Sequence, residues 1–169
     1  MEKLLSATLP GGRFRNVSKV RSRAMAAVKG KNNRSTELQF KMALVRAGIT
    51  GWVTHASLPG KPDFYFPTSR VAVFLDGCFW HGCERCGHIP KTNSLFWKTK
   101  ISRNQDRDRR NSRLVRKEAI RVIRIWEHTL RDPPKLRRIL SQIRAILHQP
   151  LERSAVANET RKRKIKRKS

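Results

Sequence analysis

The segment Val71-Ala72-Val73-Phe74-Leu75 is five apolar residues long and has no polar face. A strand with one wet face alternates; a strand that does not must be covered on both sides. This stretch is therefore expected at the centre of a sheet with helices packed above and below. Around it the order reads helix, three strands in a meander, helix, strand, helix. The first helix spans about 36–47, with Thr36 and Gln39 fitting a capping box, Gly48 the stop, and Leu38, Met42 and Val45 the core stripe. Strands are expected at 52–56, 63–66, 71–75 and 121–126, and longer helices at about 94–118 and 131–148. In the last helix Leu136, Ile139, Leu140, Ile143 and Leu147 make one face. This order gives a small α/β or α+β domain around one mixed central sheet flanked by helices.

Charge narrows the function. The net charge is +27 over 169 residues, and the segment 153–169, with eight Arg or Lys and one Glu, supplies +7 of it. The other +20 repels itself when compact, which calls for a polyanionic partner; general solubility is the bland alternative. The expected organisation is a flexible basic arm (1–21), one domain (22–150) and a disordered basic tail (151–169). A short helix is expected at 22–28. The arm suits a phosphate backbone, or is an untethered terminus. No apolar run nears the roughly 18 residues of a membrane span, and no signal-peptide core opens the chain. Three cysteines, an odd number, argue against a disulfide framework. A reducing, cytoplasmic setting is expected.

Two carboxylates mark strand ends. Asp63 follows Pro62 at the start of one strand, and Asp76 ends the next. In an antiparallel pair with a short connection, those positions lie side by side. Carboxylates held together at a sheet edge suit magnesium and the hydrolysis of a phosphodiester. The structural alternatives are turn capping by Asp63 and an Asp-Gly turn at Asp76. Glu37, in the first turn of its helix, either joins these carboxylates or serves the helix dipole. His81 either takes a proton from water or holds a phosphate, or is a fourth ligand beside the cysteines that flank it.

The cysteines fall as Cys78-x4-Cys83-x2-Cys86, a spacing that suits a closed, structural zinc site. The fourth ligand is open among His88, His81 and the distant His128. Phe79 and Trp80 lie within the same polar turn, with Trp97 beyond it. Each is either partly buried or a wedge between DNA bases. The segment 103–116 is rich in arginine, with only Leu114 and Val115 apolar. It is a solvated face or a phosphate grip.

Leu58-Pro59-Gly60-Lys61-Pro62-Asp63, Asp76-Gly77-Cys78-Phe79-Trp80-His81-Gly82-Cys83, Pro90-Lys91-Thr92, Phe96-Trp97, Asp106-Arg107-Asp108-Arg109-Arg110 and Trp126-Glu127-His128 resemble the very-short-patch repair (Vsr) DNA mismatch endonucleases. The resemblance covers about 22–146. It implies a restriction-endonuclease-like core with a structural zinc. It also implies a magnesium-dependent enzyme that nicks duplex DNA 5′ to the thymine of a T:G mispair left by 5-methylcytosine deamination, starting very-short-patch repair. By the same resemblance Asp63 and the backbone carbonyl of Leu75 would bind magnesium, His81 would activate water and Glu37 would assist. Phe79, Trp80 and Trp97 would enter the base stack, with Lys91, Arg107 and Arg110 on the DNA. Cys78, Cys83, Cys86 and His128 would hold zinc, with His88 as the substitute. Some members carry His where Asp76 stands, so Asp76 either orients His81 or ligates the metal. A monomer near the nucleoid is expected, with mismatch-repair proteins and a repair polymerase as partners. Two rivals are a restriction-type endonuclease cutting matched sites and a non-catalytic, zinc-stapled DNA-binding module.

Overall fold

The computed structural model describes Leu9 and residues 36–149. Apart from Leu9, the expected arm (1–21), the short helix at 22–28 and the tail (151–169) lie outside the described residues. The elements are α1 (Thr36–Arg46), β1 (Phe64–Phe66), β2 (Val71–Asp76), α2 (Ser94–Lys117), β3 (Arg121–Trp126), α3 (Glu127–Leu130) and α4 (Pro133–Leu147). The sheet has the order β1-β2-β3, with β1 antiparallel and β3 parallel to β2. The unbroken apolar strand is thus central, as its lack of a polar face demanded. A parallel neighbour needs a crossover, and α2 is that crossover.

Alternation along the strands assigns the two faces. Val71 and Val73 of β2 and Ile125 of β3 pack with Phe40 and Leu44 of α1 and Ile143 of α4. Ala72 and Phe74 point the other way, against Val115 of α2, with Val122 of β3 beside them. The helix α4 presents the expected face, with Leu136, Ile139, Leu140, Ile143 and Leu147 all in the first cluster. Its start differs from expectation. Asp132 accepts from Lys135 N at 3.1 Å and Pro133 and Pro134 fill the first turn, so the helix begins at Pro133 and α3 stands apart from it.

Two other expectations fail. The stripe Leu38, Met42 and Val45 is exposed, at 53%, 41% and 56%. The buried stripe is Thr36, Phe40, Ala43 and Leu44. Both stripes have helical spacing, but Phe40 brings a ring that meets Phe64 edge-on at 5.2 Å. The end of α1 fixes the choice. Gly48 takes a positive φ of 64°, and Gly48 N and Ile49 N donate to Val45 O and Leu44 O, a Schellman stop. That stop packs Ile49 on Leu44's side of the helix. The expected strand at 52–56 reduces to one bridge, Val53 to Tyr65. His55, at φ 57°, leaves the extended region that a strand requires. The sheet therefore has three strands among the described residues.

Candidate active site and metal centre

The antiparallel register of β1 and β2 sets Phe64 opposite Val73, so Asp63 reaches the end of β2. Its Oδ2 accepts from Leu75 N at 2.7 Å. Asp63 thus meets the end of β2 at Leu75; the expected convergence with the Asp76 carboxylate is a charge influence only, since Asp76 groups with His81 and Asp108 instead. Burial pushes the Asp63 carboxyl up to about 6; the Leu75 amide pulls against this, and the charges of Glu37 and Asp76 add to it. Glu37 on α1 thus shares the electrostatic neighbourhood of Asp63.

Asp76 is on the α2 side of the sheet and only 4% exposed. Both its oxygens are engaged by one guanidinium: Arg124 Nε donates to Oδ2 at 2.6 Å and Nη2 to Oδ1 at 2.5 Å. The same Nη2 lies 3.3 Å from Asp108 Oδ2. That oxygen is 2.5 Å from His81 Nδ1, while Asp76 Oδ1 is 3.7 Å from it. Asp76, His81 and Asp108 are close enough to share one ion. The guanidinium of Arg124 already stands against both carboxylates of that group. Burial works to raise the Asp108 pKa, but the hydrogen bond and charge of His81, with Arg124 and Arg107, lower it. These groups line a cleft of about 720 Å³ that also takes in Arg109, Arg113 and Arg116.

The turn after β2 is pinned to α2. Asn104 donates to Trp80 O at 2.9 Å and Gln105 to His81 O at 3.1 Å. A Cβ on Gly82 would fall 2.7 Å from both Gln105 Nε2 and Ile101 Cγ2, so only glycine lets the turn press this close. On that turn Phe79 meets Trp80 and Trp97 edge-on, at 5.0 and 5.2 Å between ring centroids. All three rings are half-buried. Lys91, Arg107 and Arg110 are exposed.

The parallel register places Asp76 beside Trp126, so the residues that follow each strand are neighbours. His128 Nδ1 lies 3.3 Å from Cys78 Sγ, 3.5 Å from Cys83 Sγ and 3.3 Å from Cys86 Sγ. Cys86 and Cys83 are 3.6 Å apart. These four residues could hold a metal ion. His88, the substitute ligand, is outside that group, its ring 6.0 Å from the Phe79 ring; His81 is turned to Asp108. The neighbouring Cys78 thiol, burial and the Cys83 thiol push Cys86 up to about 12. Burial opposes ionisation of Cys83, but the amides of Cys86 and Arg85 and the adjacent thiols outweigh it and lower its pKa. Glu127 supports the knuckle by accepting from Cys78 N at 3.3 Å.

Sequence reasoning missed Arg124, Asp108 and Glu127 as site members. Arg124 had a signal: in Arg121-Val122-Ile123-Arg124-Ile125-Trp126 a charge sits inside a strand, on the face of Val122. Asp108 was hidden among arginines, where a carboxylate reads as surface charge balance.

The model of a family described as DNA mismatch endonuclease Vsr matches residues 16–87. The type II nicking enzyme V.NaeI of Lentzea aerocolonigenes is 47% identical over 68 residues, 40% of this chain and 41% of that protein. The type II nicking enzyme V.XorIIP of Xanthomonas oryzae pv. oryzae is 37% identical over 110 residues, 64% of this chain and 79% of that one. The DNA mismatch endonuclease Vsr of Escherichia coli K12 is 38% identical over 120 residues, 69% of this chain and 74% of that one. With the site described above, these matches define an endodeoxyribonuclease. The chain belongs to the DNA mismatch endonuclease Vsr family. No helix among the described residues is long and apolar enough to cross a membrane.

Proposed function

We propose that this protein nicks duplex DNA 5′ to the thymine of a T:G mispair, by magnesium-dependent hydrolysis, and so starts very-short-patch repair of deaminated 5-methylcytosine. One observation carries the reading. A single turn leaves the Asp63-bearing sheet and bears an aromatic cluster, His81 and the first two thiols of a four-residue metal group. The core around it is read as restriction-endonuclease-like.

Asp63 and the carbonyl of Leu75 would hold magnesium. The residues fit: hard oxygen donors suit that ion, and Glu37 and Asp76 already crowd negative charge onto Asp63. When bound, the ion lowers the pKa of a water and neutralises charge on the scissile phosphate. With its Nδ1–H donating a hydrogen bond to Asp108, His81 has Nε2 left to take the proton of the attacking water. Phe79, Trp80 and Trp97 enter the stack, where unstacking is least costly at a mispair. Lys91, Arg107 and Arg110 grip phosphates. The basic arm (1–21) and tail (151–169) add further charge for the backbone. The protein works as a monomer in the cytoplasm on nucleoid DNA, handing the nick to mismatch-repair proteins and a repair polymerase.

Zinc fits the thiol site. Bonds of about 2.3 Å to sulfur and 2.0 Å to nitrogen separate tetrahedral ligand atoms by roughly 3.5–3.8 Å. The separations of 3.3 to 3.6 Å among these ligand atoms are close to that. The three sulfurs and one imidazole nitrogen close the coordination sphere, so its role is structural.

The test uses matched and T:G duplexes, end-labelled on each strand, with magnesium, and Asp63→Ala protein alongside. A nick confined to the mispaired thymine strand, absent with Asp63→Ala, is expected. Double-strand cutting of the matched duplex would replace this reading with a restriction-type enzyme. Tight binding without cutting would replace it with a DNA-binding module.

A further inference from the structure

We propose that Arg124 is a positioning residue: it holds Asp108 in place against His81, and the task of Asp76 is to hold Arg124 rather than a metal ion. The proposal rests on the reading of His81 as the base and goes beyond it. The parity of the strands puts Asp76 and Arg124 on the same side of the sheet, under α2. The fork of Arg124 then takes both oxygens of Asp76, at 2.6 and 2.5 Å. A carboxylate gripped in this bidentate way has its best lone pairs committed. Two of the three remaining N–H groups also face neighbours. Nη1 meets Ser112 Oγ at 3.3 Å, and Nη2 is 3.3 Å from the Asp108 oxygen that faces His81. The Phe74 ring lies beneath the guanidinium, 5.2 Å from its carbon.

The electrostatics require the arrangement. Asp76 and Asp108 both approach His81 Nδ1, at 3.7 and 2.5 Å. Two carboxylates this close repel unless a cation stands between them. Arg124 is that cation, and its planar fork fixes where both must sit. A lysine would supply the charge without the fork. Loss of Arg124 leaves Asp108 free to turn away from Asp76, and His81 loses the partner that fixes its ring.

The experiment uses the full chain, zinc-loaded, with Arg124→Met, Arg124→Lys, Asp76→Asn and the double variant Asp76→Asn/Arg124→Met. Thermal melting and zinc content establish that each is folded. Should Met at 124 fail to fold, Arg124→Lys and Asp76→Asn carry the same comparison. On a T:G duplex, Arg124→Met and Asp76→Asn are each expected to lower kcat on the order of 10²-fold, the loss typical of a misplaced catalytic group. KM for DNA stays within about threefold, because no ground-state contact is removed. The double variant is no worse than either single one, since all break one clamp. Arg124→Lys recovers part of the rate.

Two readouts need no turnover. The proton on His81 Nδ1, far downfield in the NMR spectrum because of its short bond, is lost in Arg124→Met and Asp76→Asn. The affinity for Mn²⁺ falls by no more than about threefold in Asp76→Asn, the loss of a neighbouring charge rather than of a ligand. A raised KM with kcat intact in Arg124→Met would make Arg124 a DNA contact and overturn the proposal. A loss of Mn²⁺ affinity of about a hundredfold in Asp76→Asn, as for a removed ligand, or additive losses in the double variant, would also overturn it. A wild-type chain that nicks nothing would sink the nuclease reading alone; the His81 resonance would still decide whether Arg124 holds Asp108.

Discussion

Replacing Asp63 by Asn should make the protein more stable while abolishing its nicking. The Asp63 carboxyl rises from 3.8 to about 6, with burial the leading cause. At about 1.4 kcal/mol per pH unit, keeping it ionised in the folded protein costs ~3 kcal/mol. The sign follows from proton binding. Between those two values the folded state holds the proton more tightly than the unfolded one, so stability falls as pH rises. The penalty is complete above about 6 and absent well below 3.8. Asn carries no charge and keeps an oxygen for the Leu75 amide. Without added magnesium, Asp63→Asn should therefore exceed the wild type by ~3 kcal/mol near pH 8 and by roughly half that at pH 5. In a domain of this size the larger figure corresponds to a melting temperature higher by about 6–12 °C. Urea titrations at several pH values, followed by circular dichroism, give the comparison. Magnesium should raise the wild type and leave the variant unmoved, closing the gap. A gap that is flat between pH 5 and 8, or a variant less stable than the wild type at pH 8, would refute the account of Asp63 as a buried carboxylate under charge pressure.

Other consequences can be measured separately. His128→Ala should lose bound zinc, read by metal analysis of the purified protein, whereas His88→Ala should keep a full equivalent. Leu44→Ala should destabilise by roughly 2–5 kcal/mol in the same urea assay, because Leu44 is fully buried. Leu38→Ala, on the exposed stripe of the same helix, should stay within about 0.5 kcal/mol. Arg110→Ala should weaken matched and mispaired duplexes alike and lower the slope of log K against log salt by about 1.

Three of the four expected strands were legible because they obey simple patterns, while 52–56 was not a strand. Val71 to Leu75 lacks a polar face and is central; Arg121–Trp126 has the bounds expected of it. The meeting of Asp63 with the end of β2 followed from a short antiparallel connection. The thiol spacing announced a metal group but could not choose its fourth member, because that depends on a parallel register set across the whole of α2. The buried face of α1 was illegible for a different reason: two apolar stripes share the helical period, and only the packing of Phe40 on Phe64 separates them. The Gly48-Ile49 stop held that information, since it pairs Ile49 with Leu44. Arg124 and Asp108 were harder still. Charges in a chain of this composition read as surface until a fold turns a few of them inward.

The metal group also has a history within each folding event. Cys78, Cys83 and Cys86 are close along the chain and can gather early, before any sheet exists. His128 arrives from 50 residues beyond Cys78. Closing a loop of that length costs on the order of 3.5 kcal/mol of chain entropy, repaid only once α2 has crossed and β3 has docked beside β2. A fourth bond to a metal held there would thus form last during assembly and act as a latch during disassembly. A metal held by all four residues ties the tip of one strand to the segment that follows its parallel neighbour, so β3 cannot peel away while His128 remains bound.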